Sequence, residues 1–345
     1  MTNTPIIIEG FLSFTIGIIV FFVGMKLNER IHFLRNYNIP EAVTGGILAS
    51  LVALIVYTGF GFEITYALAA RDILLIYFFT TIGLNARISD LKAGGRPLLI
   101  LMCLMLGYIV VQDTVGYFAA QAMGKPAALG LLTGSISLIG GHGTAIAWAP
   151  EFVQNHGIKG ALEIGTSAAT LGLVLASLLG GPIAKFLLSR HKLKGADEEP
   201  MLVGIPHDKE ASEKINHLSI MQVFLVMHIA IILGYFLNEG FEAIGLKLPL
   251  FVSCLMVAIV LSNTVPYLLP RLRWPARTKA LAMMSDFSLS LFIAMSLMGM
   301  QLWSIADLAG PLLVLLGVQA LAVTLFVVLV VFPPDGKRLG CVWER

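Results

Sequence analysis

Three glycines, a histidine and a threonine stand together at Gly140-Gly141-His142-Gly143-Thr144, inside an apolar stretch, 126–150, that opens and closes on proline. About fourteen residues precede the glycine break and about seven follow it, each run too short to cross a bilayer. The stretch therefore reads as a re-entrant loop, which survives at membrane depth only where protein or a wet cavity surrounds it. Glycine lets the backbone bend and brings its N–H and C=O groups close to a ligand. A half-helix beginning near Thr144 would aim free N–H groups and the positive end of its dipole at an anion. The carbonyls of the preceding half-helix, with the hydroxyls of Ser135 and Ser137, suit a hard cation such as Na⁺. The plainer alternative is close helix packing, yet packing alone needs no consecutive glycines followed by histidine. His142 either donates to a carboxylate or caps the turn. A metal-ligand role is set aside, since no second ligand stands at suitable spacing. A phosphate-cradling loop is excluded, because no strand precedes it and no Lys-Ser/Thr follows.

Other polar groups sit in apolar runs, where an ionisable residue is a functional hypothesis by default. Glu163, Thr166 and Thr170 fall on one helical face. Glu163 either joins the site or faces water at the outer end of its helix. Asn85, after Thr80-Thr81-Ile82-Gly83-Leu84, either offers its carbonyl to a cation or closes its helix. Asp113, beside Gln112, faces a cavity or an interface. Asp72 and Asp286 stand near expected span starts, where helix N-capping is the cheaper reading. Ala168, Gly172, Ala176 and Gly180 make a small-residue stripe that reads as close helix contact.

The elements that must hold these groups follow from composition. Of 345 residues 57% are hydrophobic and 13% charged, and mean hydropathy is +0.86. A soluble domain carries about a quarter charged residues. The chain is an all-α polytopic membrane protein, with spans at about 6–25, 40–58, 67–86, 97–122, 159–187, 217–237, 249–269, 280–303 and 311–332. The first span reads as retained, since no positive region precedes Glu9. Cys103, Cys254 and Cys341 show neither a disulfide framework nor zinc spacing. The net charge of +2 gives no reason to expect a nucleic-acid partner. An enzyme is disfavoured, as no paired acid and base, zinc motif or nucleophile elbow appears.

Orientation follows from Lys and Arg in the short loops. Lys26, Arg30 and Arg35 follow the first span; Arg87, Lys92 and Arg96 the third; Lys185, Arg190, Lys192 and Lys194 the fifth; Arg271, Arg273, Arg277 and Lys279 the seventh. Lys247 alone lies between the sixth and seventh. These loops are expected inside and the N-terminus outside.

The chain also repeats itself. Gly24-x-x-Leu27-Asn28-Glu29 recurs as Gly234-x-x-Leu237-Asn238-Glu239, and Ile39-Pro40 as Leu248-Pro249. At one constant offset Asp72 matches Asp286, Phe78 matches Phe292, Pro97-Leu98-Leu99 matches Pro311-Leu312-Leu313, and Phe118 matches Phe332. An odd number of spans in the first half makes the repeat an inverted one, the arrangement used for alternating access. The expected organisation is a first membrane repeat at 1–188 with its re-entrant loop, and a charged cytoplasmic linker at 189–216. A second, inverted repeat at 217–332 is incomplete, and an aberrant tail occupies 333–345. A loop matching 126–150 would begin near position 340, so the second re-entrant loop is expected to be missing.

These residues resemble the bacterial sodium/glutamate symporter family. The likeness rests on Gly134-Ser-Ile-Ser-Leu-Ile-Gly-Gly-His-Gly-Thr144, Thr81-Ile-Gly-Leu-Asn85, Ile39-Pro-Glu41 with Gly45-Gly46, and Leu261-Ser-Asn263. It runs from about residue 15 to 330. The resemblance implies two inverted five-helix halves, usually dimeric, in the bacterial inner membrane, importing L-glutamate with Na⁺ and needing no cofactor beyond that ion. Its functional segment maps onto Ser135, Ser137, Gly140, Gly141, His142, Gly143 and Thr144. Members carry a second re-entrant loop and a tenth helix, so the expectation here is an activity impaired by their loss. The alternatives are a remnant that only inserts, and a Na⁺-coupled carrier of another small carboxylate. Driving a monoanion into a negative interior costs about 2.3 kcal/mol per 100 mV, so more than one Na⁺ per glutamate is expected.

Overall fold

A computed structural model describes residues 4–36, 39–191, 216–246, 248–271, 274–303 and 309–332. Most of the expected linker, 192–215, and the whole 333–345 tail lie outside the described residues, as do Lys247 and Arg273. The helices are α1 (Gly10–Arg30), α2 (His32–Asn36), α3 (Glu41–Phe60), α4 (Ala69–Asn85), α5 (Ile88–Ala122) and α6 (Ala127–Leu131), then α7 (Gly141–His156), α8 (Ala161–His191), α9 (His217–Ala243), α10 (Leu250–Leu268), α11 (Lys279–Met298) and α12 (Ala309–Phe326). Among the described residues eight helices are long and apolar enough to cross a membrane: α1, α3, α5 from Leu98, α8, α9, α10, α11, and α12 extended to Val331.

The expected third span is the exception. α4 has 17 residues, about 26 Å at 1.5 Å per residue, against a hydrocarbon core of roughly 30 Å. The start of the first span also differs. Thr4–Ile8 is a strand, β1, paired in parallel with β2, Phe62–Tyr66, from Thr4 opposite Phe62 to Ile8 opposite Tyr66. The apolar run 6–8 reads as helix by hydropathy, but its three isoleucines are β-branched and suit a pleat, as does the alternation in Phe-Glu-Ile-Thr-Tyr. A lone strand pair is marginal; here Ser13 Oγ and the Ala67 N–H both donate to the Ile8 carbonyl, at 2.9 and 3.0 Å.

The helices pack as two groups. α1, α3, α4, α9, α10 and α11 form one; α5, α6, α7, α8 and α12 form the other. Packing between the groups is far thinner, with α8 set against α11. The first group shares a core of Val20, Leu74, Leu75, Phe251, Phe292, Met295 and Met298. The second centres on Leu129, Leu132, Phe152, Ile164, Ala168, Leu315 and Leu316.

Within the first group the contacts come in matched sets. α1 packs on α3 as α9 packs on α10, and α4 packs on α10 as α11 packs on α3. Thr44 Oγ1 donates to Asn28 Oδ1 at 2.8 Å, and Ser253 Oγ donates to Asn238 Oδ1 at 2.8 Å. The helix crossings are equally close: a Cβ on Gly24 would lie 2.0 Å from the Glu41 carbonyl oxygen, and one on Gly234 2.7 Å from Cys254 Cα. Small residues at such crossings let helix backbones touch, which is how membrane helices gain contact.

Candidate functional site

The hairpin between α5 and α8 begins with α6 and continues as a π-helical turn, Leu132–Ile136, in which Gly134 leaves helical geometry (φ −95°, ψ −123°). α7 then runs from Gly141 to His156, longer than the seven residues expected, because Pro150 is accommodated inside it. The three glycines have separate tasks. Gly141 has φ +71°, a left-handed conformation that costs an L residue roughly 1–2 kcal/mol, and its missing Cβ faces open space. A Cβ on Gly140 would stand 2.5 Å from Thr144 Cβ, and one on Gly143 2.9 Å from Leu75 Cδ1. Gly143 thereby seats the first turn of α7 against Leu75 and Phe79 of α4.

His142 is buried, with Nε2 3.0 Å from Thr170 Oγ1 of α8, and its ring lies edge-on to Phe292 of α11 at 6.3 Å. Thr170 Oγ1 itself donates to the Thr166 carbonyl at 2.7 Å. A hydroxyl has one proton, so His142 Nε2 is the donor to Thr170. The imidazole is thus bound to α8 rather than capping its own turn. Thr144 Oγ1 donates back to the Gly140 carbonyl at 2.9 Å, and Gly140 itself holds the N-cap position of α7, which no side chain caps.

The two serines part company. Ser137 is buried and donates to the Leu132 carbonyl at 2.5 Å. Ser135 uses its backbone: its N–H donates to Asp113 Oδ1 at 3.3 Å, and its carbonyl accepts from the Ile139 and Gly140 N–H groups at 3.0 and 2.9 Å. Asp113 thereby stitches α5 to the hairpin. Also beside Gly134, Gln319 of α12 donates through Nε2 to the Gln112 carbonyl at 3.0 Å. Gln112 and Gln319 are both buried, and the Oε1 atoms of both lack a partner among the described residues.

Glu163 lies in the first turn of α8, where a carboxylate favours the helix dipole. Thr166 is buried and donates to the Leu162 carbonyl at 2.8 Å. Asn85 is not brought to this cluster. It ends α4, about 15 Å along the helix from Leu75, and accepts the Arg277 N–H at 2.7 Å beside Asn263, whose Oδ1 accepts the Ile88 N–H at 2.8 Å. Neither Asp72 nor Asp286 is an N-cap: Leu68 and Thr278 hold those positions, and Asp286 sits in mid-helix on α11. Among the described residues no group of three or more His, Cys, Asp or Glu side chains forms a metal cluster.

Sequence reasoning passed over three groups. Ser167 Oγ of α8 donates to Met300 Sδ, just beyond α11, at 3.0 Å, crossing between the two helix groups. Gln319 carried a signal only as a polar residue in an apolar span. Arg71, in the first turn of α4, is buried at 8% exposure and was overshadowed by its neighbour Asp72. Its Nε and Nη2 both donate to Asp72 Oδ1, at 2.9 and 2.8 Å, while the Asp72 side chain is about half exposed. The cluster of α7 start, Thr166, Thr170, Phe292, Met300 and the α4 face thus lies where the two helix groups meet.

Residues 6–342 match a family described as sodium/glutamate symporter. The sodium/glutamate symporter of Escherichia coli (strain K12) is 36% identical over 325 residues, covering 92% of this chain and 78% of the relative. That of Haemophilus influenzae (strain ATCC 51907 / DSM 11121 / KW20 / Rd) is 32% identical over 330 residues, covering 94% and 80%. No solved structure matches the chain.

Proposed function

This chain belongs to the sodium/glutamate symporter family, and from that premise we propose how its geometry serves the activity. It is a multi-pass membrane transporter rather than an enzyme, importing L-glutamate with Na⁺ as the coupling ion. The observation that carries this is the family match over residues 6–342 of a chain whose described residues hold eight membrane-length apolar helices.

In this reading the α-carboxylate of glutamate meets the N–H groups that open α7, from Gly141 to Thr144. A helix start presents unpaired donors and a positive dipole end to an anion. His142, held by Thr170, and Thr166 wall the site, and Glu163 borders its approach. Na⁺ takes oxygen ligands from the hairpin around Ser135 and Ser137. Asn85, distant from these, belongs to the α4–α10 packing instead. Supporting this is the position of the cluster at the thin contact between the helix groups. Sliding or rocking of α5–α8 and α12 against α1, α3, α4, α9, α10 and α11 would open the cluster to each side in turn.

The chain works as two inverted halves, 1–188 and 217–332, joined by a cytoplasmic linker at 189–216, with the tail at 333–345 beyond them. The matched bonds Thr44–Asn28 and Ser253–Asn238 support this division. The N-terminus lies outside a bacterial inner membrane, on the Lys and Arg asymmetry of the loops. Lipid covers outward side chains such as Val110, Phe118, Leu225 and Val260, and the protein is a homodimer.

The test is uptake of labelled L-glutamate by cells that lack their own carriers and make this chain, with membrane insertion verified in parallel. Uptake that collapses when the Na⁺ gradient is removed is the expected result. An inserted chain with no uptake, or uptake indifferent to Na⁺, overturns the reading. Competition by aspartate or citrate as strong as by glutamate would reassign the substrate to another small carboxylate.

A further inference from the structure

Glutamate differs from glutamine only in its side-chain carboxylate, so a carrier that distinguishes them needs a group that meets that charge. A bilayer-depth site gains such discrimination from a buried cation, because water does not screen it there. Arg71 is the cation that stands beside the candidate site. Arg71, Leu75 and Phe79 follow one another at four-residue spacing, one face of α4. Leu75 and Phe79 of that face are the side chains packed against Gly143 in the first turn of α7. Arg71 therefore lies one turn, about 5–6 Å, further along α4 from the start of α7.

The guanidinium is also underused. It carries five N–H donors in a rigid fork, is buried at 8% exposure, and makes its bonds to a single oxygen of Asp72. A buried guanidinium held at one edge keeps the other free for a second carboxylate, and a planar fork suits that partner better than an ammonium does. Asp72 also aims the group: Nε and Nη2 both bind its Oδ1, which fixes the plane of the fork. The two ends of glutamate need partners separated along one direction. The α7 start and Arg71 supply an N–H cluster and a cation offset by one helical turn.

We propose that Arg71 binds the side-chain carboxylate of the transported glutamate and is the residue that selects it over glutamine. This rests on the α-carboxylate meeting the start of α7, as argued above.

The full chain, purified in lipid nanodiscs with Na⁺ present, is assayed for binding of labelled L-glutamate, with unlabelled L-glutamine as competitor. Wild type is expected to prefer glutamate strongly. Arg71→Gln is expected to lose about 10- to 100-fold in glutamate affinity, the range for a hydrogen bond to a charged group, while glutamine affinity shifts by less than about 3-fold. An Arg71→Gln protein that keeps the wild-type ratio of the two affinities overturns the inference and leaves the parent reading intact. A wild-type chain with no Na⁺-dependent glutamate binding overturns both. If Arg71→Gln does not insert, Arg71→Lys decides, since it keeps the charge and loses the fork. A several-fold loss of glutamate affinity with glutamine unchanged supports the inference, and wild-type glutamate affinity overturns it.

Discussion

His142 donates through Nε2 to Thr170 Oγ1, across 3.0 Å between α7 and α8. The hydroxyl spends its own proton on the Thr166 carbonyl, so the bond fixes both the tautomer and the ring plane of the imidazole. It also ties the start of α7 to α8, the helix packed on α11.

Thr170→Val removes the acceptor and leaves a buried N–H unpaired, at a cost of about 1–3 kcal/mol. Glutamate uptake should fall at least tenfold in Thr170→Val, while Thr170→Ser, which keeps the hydroxyl, should stay within about threefold of wild type. Uptake rates at matched expression check this. Wild-type uptake in Thr170→Val with a loss confined to Thr170→Ser would mean that the methyl group, not the bond, matters.

Gly141 and Gly124 both have left-handed φ, +71° and +66°, and neither has an atom within 4 Å of a built Cβ. Alanine at either position should cost roughly 1–2 kcal/mol of backbone strain. Only Gly141→Ala should weaken glutamate binding, because only that turn shapes the start of α7. Thermal melting alongside glutamate titration separates the two effects, and a Gly124→Ala protein with the same binding defect would refute the assignment.

Transport should carry net positive charge inward. A glutamate monoanion with one Na⁺ moves no charge, whereas each additional Na⁺ gains about 2.3 kcal/mol per 100 mV. Proteoliposomes clamped with a potassium diffusion potential should therefore take up glutamate faster when negative inside. A measured charge movement of zero per glutamate rules out the expected excess of Na⁺.

The Ser167–Met300 contact crosses between the helix groups. In a background without Cys103, Cys254 and Cys341, cysteines at 167 and 300 joined by a short thiol cross-linker should stop uptake. A cleavable linker should restore it on reduction. Undiminished uptake by fully cross-linked protein would mean that these groups do not move against each other.

Much of this was legible in the chain. Hydropathy reports burial from water along a helix length, so the long apolar helices were readable to within a few residues. The glycine cluster was readable because residues without side chains weaken an apolar helix unless the backbone must bend there or be closely approached. β1 was hidden because three isoleucines serve a strand and a span equally well. Asn85 stayed open between two readings, because a polar residue at a helix end looks the same whether it meets an ion or accepts an N–H such as that of Arg277 from far along the chain. Arg71 was missed because periodicity says which residues share a face, not which helix that face meets.

The packing of α4 has a consequence for biogenesis. Its principal partners, α10 and α11, are made some two hundred residues later. At about 5–20 residues per second, α4 waits roughly ten to forty seconds for them after leaving the ribosome. During that interval a short helix bearing Arg71 and Asp72 must stay at the insertion machinery or in contact with α1 and α3. Mutations that weaken α10 or α11 should therefore show first as degradation of new chains during synthesis, before any loss of affinity in the molecules that mature.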